Sequence, residues 1–405
     1  MAKLNVVVIL AESLRQDHCG CYGNTWIHTP HLDRLAARAT TFTRCYAEAL
    51  ASEAARRAML TGRRSFPDAG GPPTDTPSDL SRSLAQAGYW TGMAADISEP
   101  WARAMNLAEY TVSPKHLAAV KTELAEALAA RGLPQKEDDW PVARVYGRAM
   151  ELLRENASKK QPFYLTIKHA APAPPWAPLQ AGLDLYDCGY EGPGQRGMYP
   201  LSGKADWLSE RQLKHLRALY AGEVTLMDAW LGLFLNDLAK LGLMDKTLIV
   251  FAGDHGVALG EHGLTGYVPT ALYPELTDIP AIYYDPESRT ARTVGGLIYN
   301  IDLIATVLNR IGVAAQPALE GIDVRPMIEG GHGGRPYLTS IFGDSVWIRT
   351  ASHVLIAHRH GSQFELYELA NDAKLDRNVA EHQRGLCEEM FALAIKDAGI
   401  ALGAT

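Results

Sequence analysis

Two uninterrupted β-branched runs, each leading directly into ionisable side chains, constrain this chain more than any other feature. Residues 5–10 read Asn-Val-Val-Val-Ile-Leu and are followed by Ala11 and Glu12. Residues 247–251 read Thr-Leu-Ile-Val-Phe and lead through Ala252 and Gly253 into Asp254-His255-Gly256. A strand that is apolar at every position is buried on both faces, as happens inside a parallel sheet covered by helices. Ligands of such sheets bind beyond the carboxyl ends of the strands. If the two strands are neighbours, Glu12, Asp254 and His255 converge on one rim.

The remaining pattern supports that architecture. Helical periodicity is read at 52–60, 79–87, 117–130, 142–153 and 208–241, and strands at 89–94 and 163–168. Strands alternating with helices define an α/β core with a mostly parallel sheet. The Gly-, Pro- and Asp-rich stretch 66–77 and the Pro-rich stretch 170–187 read as loops, the second of active-site length and placing Trp176 beside a pocket. From about residue 330 the texture changes to short strands (346–348, 354–357) and a last helix at 384–398. The expected division is therefore a catalytic α/β domain at 1–329 and a small C-terminal α+β subdomain at 330–405 packed on it.

Composition excludes several classes. The 405 residues are 47% hydrophobic and 21% charged, which rules out a disordered or coiled-coil chain. A net charge of −7 gives no reason to expect nucleic-acid binding. No apolar run approaches the roughly 18 residues of a membrane span, so no membrane anchor is expected. Met1-Ala2-Lys3-Leu4 runs straight into the first strand without a leader-like segment, and the five cysteines are sparse and odd in number. Both point to a cytoplasmic location. The oligomeric state stays open.

Carboxylates Glu12 and Asp254 with the imidazole of His255 make an O, O, N donor set for one divalent metal ion. Zinc or manganese suits it better than calcium or magnesium. Ser52 opens a helix, where backbone N–H groups favour an anion, and Arg56 follows one turn later on the same face. Its guanidinium can balance an ester anion or assist the hydroxyl. Each piece also has a plainer reading: Glu12 as a solvated residue after a strand, Ser52 as a helix cap, Asp-His-Gly as an ordinary βα turn, and Arg57 as a surface charge.

The order of these segments resembles the sulfatase branch of the alkaline phosphatase superfamily. Residues 5–24 (NVVVILAESLRQDHCGCYGN) are similar to the sulfatase opening, and Thr29-Pro-His-Leu-Asp-Arg-Leu-Ala36 to the helix that follows it. Ser52-Glu-Ala-Ala-Arg56, running into Met59-Leu-Thr-Gly-Arg63, resembles the Cys/Ser-x-Pro/Ala-x-Arg signature. Residues 247–264 (TLIVFAGDHGVALGEHGL) resemble the second metal segment, and 364–380 (FELYELANDAKLDRNVA) the C-terminal stretch. The resemblance implies an alkaline-phosphatase-like α/β sandwich and in-line attack by a metal-activated residue 52 on the ester of a small anionic substrate. It also implies that Ser52 is a candidate precursor of formylglycine.

The departures from the family pattern are specific. Glu12 stands at the first metal Asp and Ser13 at the second. Ala95-Asp96-Ile97-Ser98 replaces Gly-Lys-Trp-His, Ala173 replaces a His, and Tyr267 replaces a Lys. His169, four residues before Ala173, is the candidate substitute for the missing histidine, with a structural loop histidine as the alternative. The surviving set (Glu12, Ser52, Asp254, His255) is similar to the one-metal set of lipoteichoic acid synthases and phosphoethanolamine transferases, which use a plain hydroxyl nucleophile. The function expected is hydrolysis of a sulfate or phosphate ester. The alternatives are a phosphoryl transferase or phosphodiesterase with an unmodified serine, and a catalytically degenerate binding protein of the same fold.

Overall fold

The computed structural model of the chain describes residues 3–67, 80–96, 109–112, 140–159, 161–187, 189–195, 197–315 and 319–402. The helix expected at 117–130 and most of the loop expected at 66–77 lie outside these residues.

An eight-stranded sheet organises the chain. Its strands are β1 (Asn5–Ala11), β2 (Thr40–Phe42), β3 (Trp90–Ala95), β4 (Glu109–Val112), β5 (Phe163–His169), β6 (Thr247–Gly253), β7 (Ala281–Tyr284) and β8 (Arg292–Val294). The order across the sheet is β8-β2-β7-β6-β1-β5-β3-β4. The two apolar runs of the sequence are thus β1 and β6, side by side and parallel at the centre, with β5 parallel to β1 on its other side. Only β7 runs against its neighbours, β6 and β2. The result is a mixed α/β fold with a large, mostly parallel sheet.

Helices cover both faces of the sheet, and the period-two alternation of the strands decides which side chains meet them. Val6, Val8 and Leu10 of β1 and Leu248, Val250 and Ala252 of β6 face one layer. That layer contains helix α2 (Ser52–Thr61) and helix α5 (Asn300–Ile311). Val7, Ile9, Ile249 and Phe251 face the other, built from helices α3 (Pro141–Ala157) and α4 (Glu210–Lys240). Helix α1 (Pro30–Ala36) packs on α4 through Leu32 and Leu35.

Helix α4 begins with a full capping box: the Ser209 hydroxyl accepts from the Gln212 amide N–H, and the Gln212 side chain accepts from the Ser209 N–H. By length and composition alone it could cross a membrane, but 78% of its most apolar stretch is buried inside the protein. Its apolar character reflects a core helix packed between sheet and flanking helices.

After residue 330 the chain forms an antiparallel meander of β9 (Leu338–Phe342), β10 (Ser345–Arg349), β11 (His353–His358) and β12 (Ser362–Glu368). Helix α6 (Arg384–Ala398) covers one face with Cys387, Met390 and Ala394, set against Val346, Ile348, Leu355 and Leu366. Trp347, Val354 and Ile356 on the opposite face join the main core, where Trp347 lies against Tyr46 at 5.5 Å between ring centroids. The outer strands β9 and β12 escape the sequence reading because Leu-Thr-Ser-Ile-Phe and Ser-Gln-Phe-Glu-Leu-Tyr-Glu alternate only in part.

Candidate active site

Strand register brings the carboxyl ends of β1, β5 and β6 to one level. Ala11 lies opposite both His169 on β5 and Gly253 on β6. Glu12 and Asp254 therefore leave adjacent strands together, and alternation turns both towards the α2 side. Ser13 follows with φ 65°, a left-handed conformation uncommon for a residue with a Cβ. This turn aims its N–H at Asp254 Oδ1 (3.0 Å), which also accepts from the His255 N–H (2.8 Å). The Tyr220 hydroxyl fixes the turn by donating to the Ser13 carbonyl (2.8 Å).

Ser52 is the first residue of α2, and Ala51 precedes it as the cap; the Ser52 side chain makes no capping bond. Its Oγ lies instead 2.9 Å from His255 Nε2. The other ring nitrogen, Nδ1, lies 2.9 Å from the Gly256 carbonyl, which can only accept. Nδ1 of the neutral ring therefore carries the proton, and Nε2 offers its lone pair to the Ser52 hydroxyl. Gly256 is required here because a Cβ would sit 2.0 Å from the Glu275 carbonyl oxygen.

Arg56, one turn along α2, is buried and places its guanidinium 3.4 Å from Glu12 Oε2. Arg57 is buried as well, at 8% exposure, contrary to the expectation of a surface charge.

Lys168 is the residue the sequence reading did not single out. It is 1% exposed, and its ammonium donates to Glu12 Oε2 (3.2 Å) and the His169 carbonyl (3.0 Å) while facing Asp254 Oδ2 at 3.7 Å. Alternation explains the placement: Lys168 shares the parity of Tyr164, which faces the α2 layer. His169 has the opposite parity and turns the other way, into the layer of α3. There its Nε2 lies 3.3 Å from the Tyr146 hydroxyl and its Nδ1 2.9 Å from the Ala171 carbonyl. Burial, with the Lys168 charge adding to it, pushes the His169 imidazole down to about 3. The expectation that His169 replaces the missing histidine of the site therefore does not hold; it is a neutral core residue.

Two further groups border the rim. The Tyr267 hydroxyl lies 2.5 Å from Ser13 Oγ, and its ring stands edge-on to His255 with centroids 5.2 Å apart. Asp96, at the end of β3, accepts the Ala170 N–H (2.7 Å). Burial raises it to about 6 despite the opposing Lys168 charge. The loop expected to shape a pocket is instead anchored inward. Trp176 is fully buried, donates its indole N–H to the Pro172 carbonyl (2.6 Å) and packs edge-on against Tyr220.

With fold and site in place, comparison with known proteins gives the class. A model of the sulfatase family matches residues 4–313, and the chain belongs to that family of sulfuric ester hydrolases. It is similar to N-acetylglucosamine-6-O-sulfatase of Bacteroides thetaiotaomicron, 23% identical over 80% of this chain and 71% of the relative. It is also similar to choline-sulfatase of Rhizobium meliloti, 22% identical over 98% and 86% of the two chains. Among solved structures, the phosphonate monoester hydrolase of Agrobacterium radiobacter shares the fold with a TM-score of 0.77, covering 97% of this chain and 96% of that one at 20% identity.

The sulfatase family generally uses a divalent metal and a formylglycine. Glu12, Asp254, His255 and Ser52 are brought together, but a lysine ammonium sits against both carboxylates. Among the described residues, no three or more His, Cys, Asp or Glu side chains form a set able to hold a metal ion. Unit charges 4 Å apart repel by about 4 kcal/mol at an effective dielectric of 20, and a divalent ion by about twice that. As placed, the residues do not fit a metal ion held by Glu12, Asp254 and His255 beside Lys168.

Proposed function

We propose that the chain hydrolyses the ester of a small, singly charged anion, a sulfate monoester before any other, with Ser52 as nucleophile and His255 as its base. The observation that carries this reading is the 2.9 Å contact from Ser52 Oγ to His255 Nε2, whose ring is held by the Gly256 carbonyl. A nucleophile bonded to an oriented base is the arrangement that activates a hydroxyl at neutral pH.

In the first step the Ser52 Oγ–S bond forms as the ester S–O bond breaks. The hydroxyl proton passes to His255 Nε2, and the alcohol leaves, protonated by water. In the second, water attacks sulfur as the Ser52 Oγ–S bond breaks, His255 returns its proton to Ser52 Oγ, and sulfate departs. The attacking water's protons pass to solvent, where one neutralises the hydroxide left by the first step. Glu12 and Asp254 are balanced by Arg56 and Lys168, so these four side chains sum to zero. A site without net positive charge compensates a singly charged ester more fully than a doubly charged phosphate monoester. Family membership favours sulfate among singly charged esters.

The test is turnover of 4-nitrophenyl sulfate, 4-nitrophenyl phosphate and bis(4-nitrophenyl) phosphate by the full chain and by Ser52→Ala. Sulfate-ester hydrolysis that disappears in the variant supports the reading. Hydrolysis confined to the phosphodiester moves the function to phosphoryl chemistry, and activity undiminished in Ser52→Ala sinks the nucleophile assignment. Absence of turnover with all three leaves a sulfatase-fold binding protein.

A further inference from the structure

We propose that the Lys168 ammonium is the resident cation of this site, standing in place of a metal ion, and that the chain binds no divalent metal at Glu12, Asp254 and His255. The argument concerns charge and space at the strand ends and holds whether or not Ser52 turns over.

Lysine is almost never fully buried unless its charge is paired. Lys168 lies opposite Leu10 in the central sheet, and its stem passes the end of β1 to approach Asp254, two strands away. Two buried carboxylates on neighbouring strand ends need a cation equally, and one ammonium serves both. At Asp254 the two oxygens are held differently, one by backbone N–H groups and the other by the Lys168 charge. Its Oδ1 is occupied by the N–H groups of Ser13 and His255, and its Oδ2, which accepts no hydrogen bond, faces Lys168. Position 13 adds no further carboxylate, because Ser13 turns its hydroxyl to Tyr267. The site is thus short of anionic donors by one and supplied with one cation from within, and the two features compensate each other.

The experiment is elemental analysis of the full chain after incubation with zinc, manganese or calcium chloride and desalting, paired with thermal unfolding in the same salts. The wild type is expected to retain metal only at background level, with a Tm that EDTA does not move. Lys168→Ala vacates the cation position between two carboxylates. It is expected to retain about one ion per chain, with a Tm that rises with metal concentration, and adding Asp254→Asn removes both effects. If Lys168→Ala does not fold, Lys168→Met, which keeps most of the stem, is loaded instead. The proposal is overturned if the wild type holds about one ion per chain that Glu12→Gln or Asp254→Asn loses. It is equally overturned if a folded Lys168 variant takes up no metal. Neither reading depends on turnover, so a failed ester assay and a failed cation assignment are told apart.

Discussion

Ser52 Oγ and His255 Nε2 stand 2.9 Å apart, and the far nitrogen of the same ring is held by the Gly256 carbonyl at 2.9 Å. The pair acts through position and adds little to stability, since it is one hydrogen bond worth about 1 kcal/mol. Ser52→Ala is expected to reduce sulfate-ester turnover to background. His255→Gln removes the base and is expected to lower kcat by about 10²–10⁴-fold. Both variants should unfold close to the wild-type urea midpoint. Steady-state kinetics beside urea titrations separate the two effects, and a kcat loss that tracks a collapse in midpoint would mean that His255 is only structural.

The same hydroxyl bears on formylglycine. Among the described residues Ser52 Oγ has one hydrogen-bond partner, His255. A hydrated aldehyde would place a second hydroxyl on the same carbon, which the pairing with His255 does not require. The expected state of residue 52 is therefore plain serine. Mass spectrometry of the tryptic peptide Cys45–Arg56 from protein made in its native host checks this. Conversion to the aldehyde would lower its mass by about 2 Da, through loss of two hydrogens, and a peptide found in that form would replace the serine mechanism.

How much of this was legible beforehand depends on side-chain parity. The convergence of Glu12 and Asp254 could be read because each extends an unbroken apolar strand, and two such strands belong at the centre of a parallel sheet. Ser52 and Arg56 could be read from helical spacing. Lys168 could not, since a lysine ending a strand normally marks the exit to solvent, and its burial depends on two carboxylates from other strands. Parity does hold the clue: Lys168 follows Tyr164 and Thr166 on one face, while His169 follows Leu165 and Ile167 on the other. That parity decides between the two readings of His169 in favour of a structural histidine. Trp176 and Arg57 misled for a related reason, as proline-rich sequence and adjacent arginines both suggest surface until packing partners far along the chain are known.

Glu223 of α4 accepts the Ala177 N–H at 2.9 Å and so holds the Pro-rich loop from within the core. Burial raises its carboxyl from 4.5 to about 7. The native state therefore holds this proton over a range in which the unfolded chain has lost it. Its contribution is fully present below about pH 4.5, falls as pH rises towards 7, and is constant above that, a span on the order of 3 kcal/mol. Glu223→Gln keeps the accepting oxygen and removes the ionisation. The variant should match the wild type at pH 5 and exceed it at pH 8 in urea midpoint. Equal midpoints at pH 8 would show that Glu223 ionises without cost.

Lys168 and Glu12 form a buried pair whose members are each costly to leave alone. Lys168→Met leaves Asp254 without its facing cation and Glu12 with Arg56 but no ammonium, and is expected to destabilise the chain by about 3–5 kcal/mol. Glu12→Gln leaves the ammonium with Asp254 and the His169 carbonyl, so its cost should be smaller. In the double variant one uncompensated carboxylate is gone, and the total should fall short of the sum of the singles by more than about 1 kcal/mol. Urea denaturation of the four proteins in EDTA measures the coupling without interference from bound metal. Additivity within about 0.5 kcal/mol would mean that the 3.2 Å contact carries no net interaction. In that case the Lys168 charge is satisfied mainly by Asp254 and the backbone.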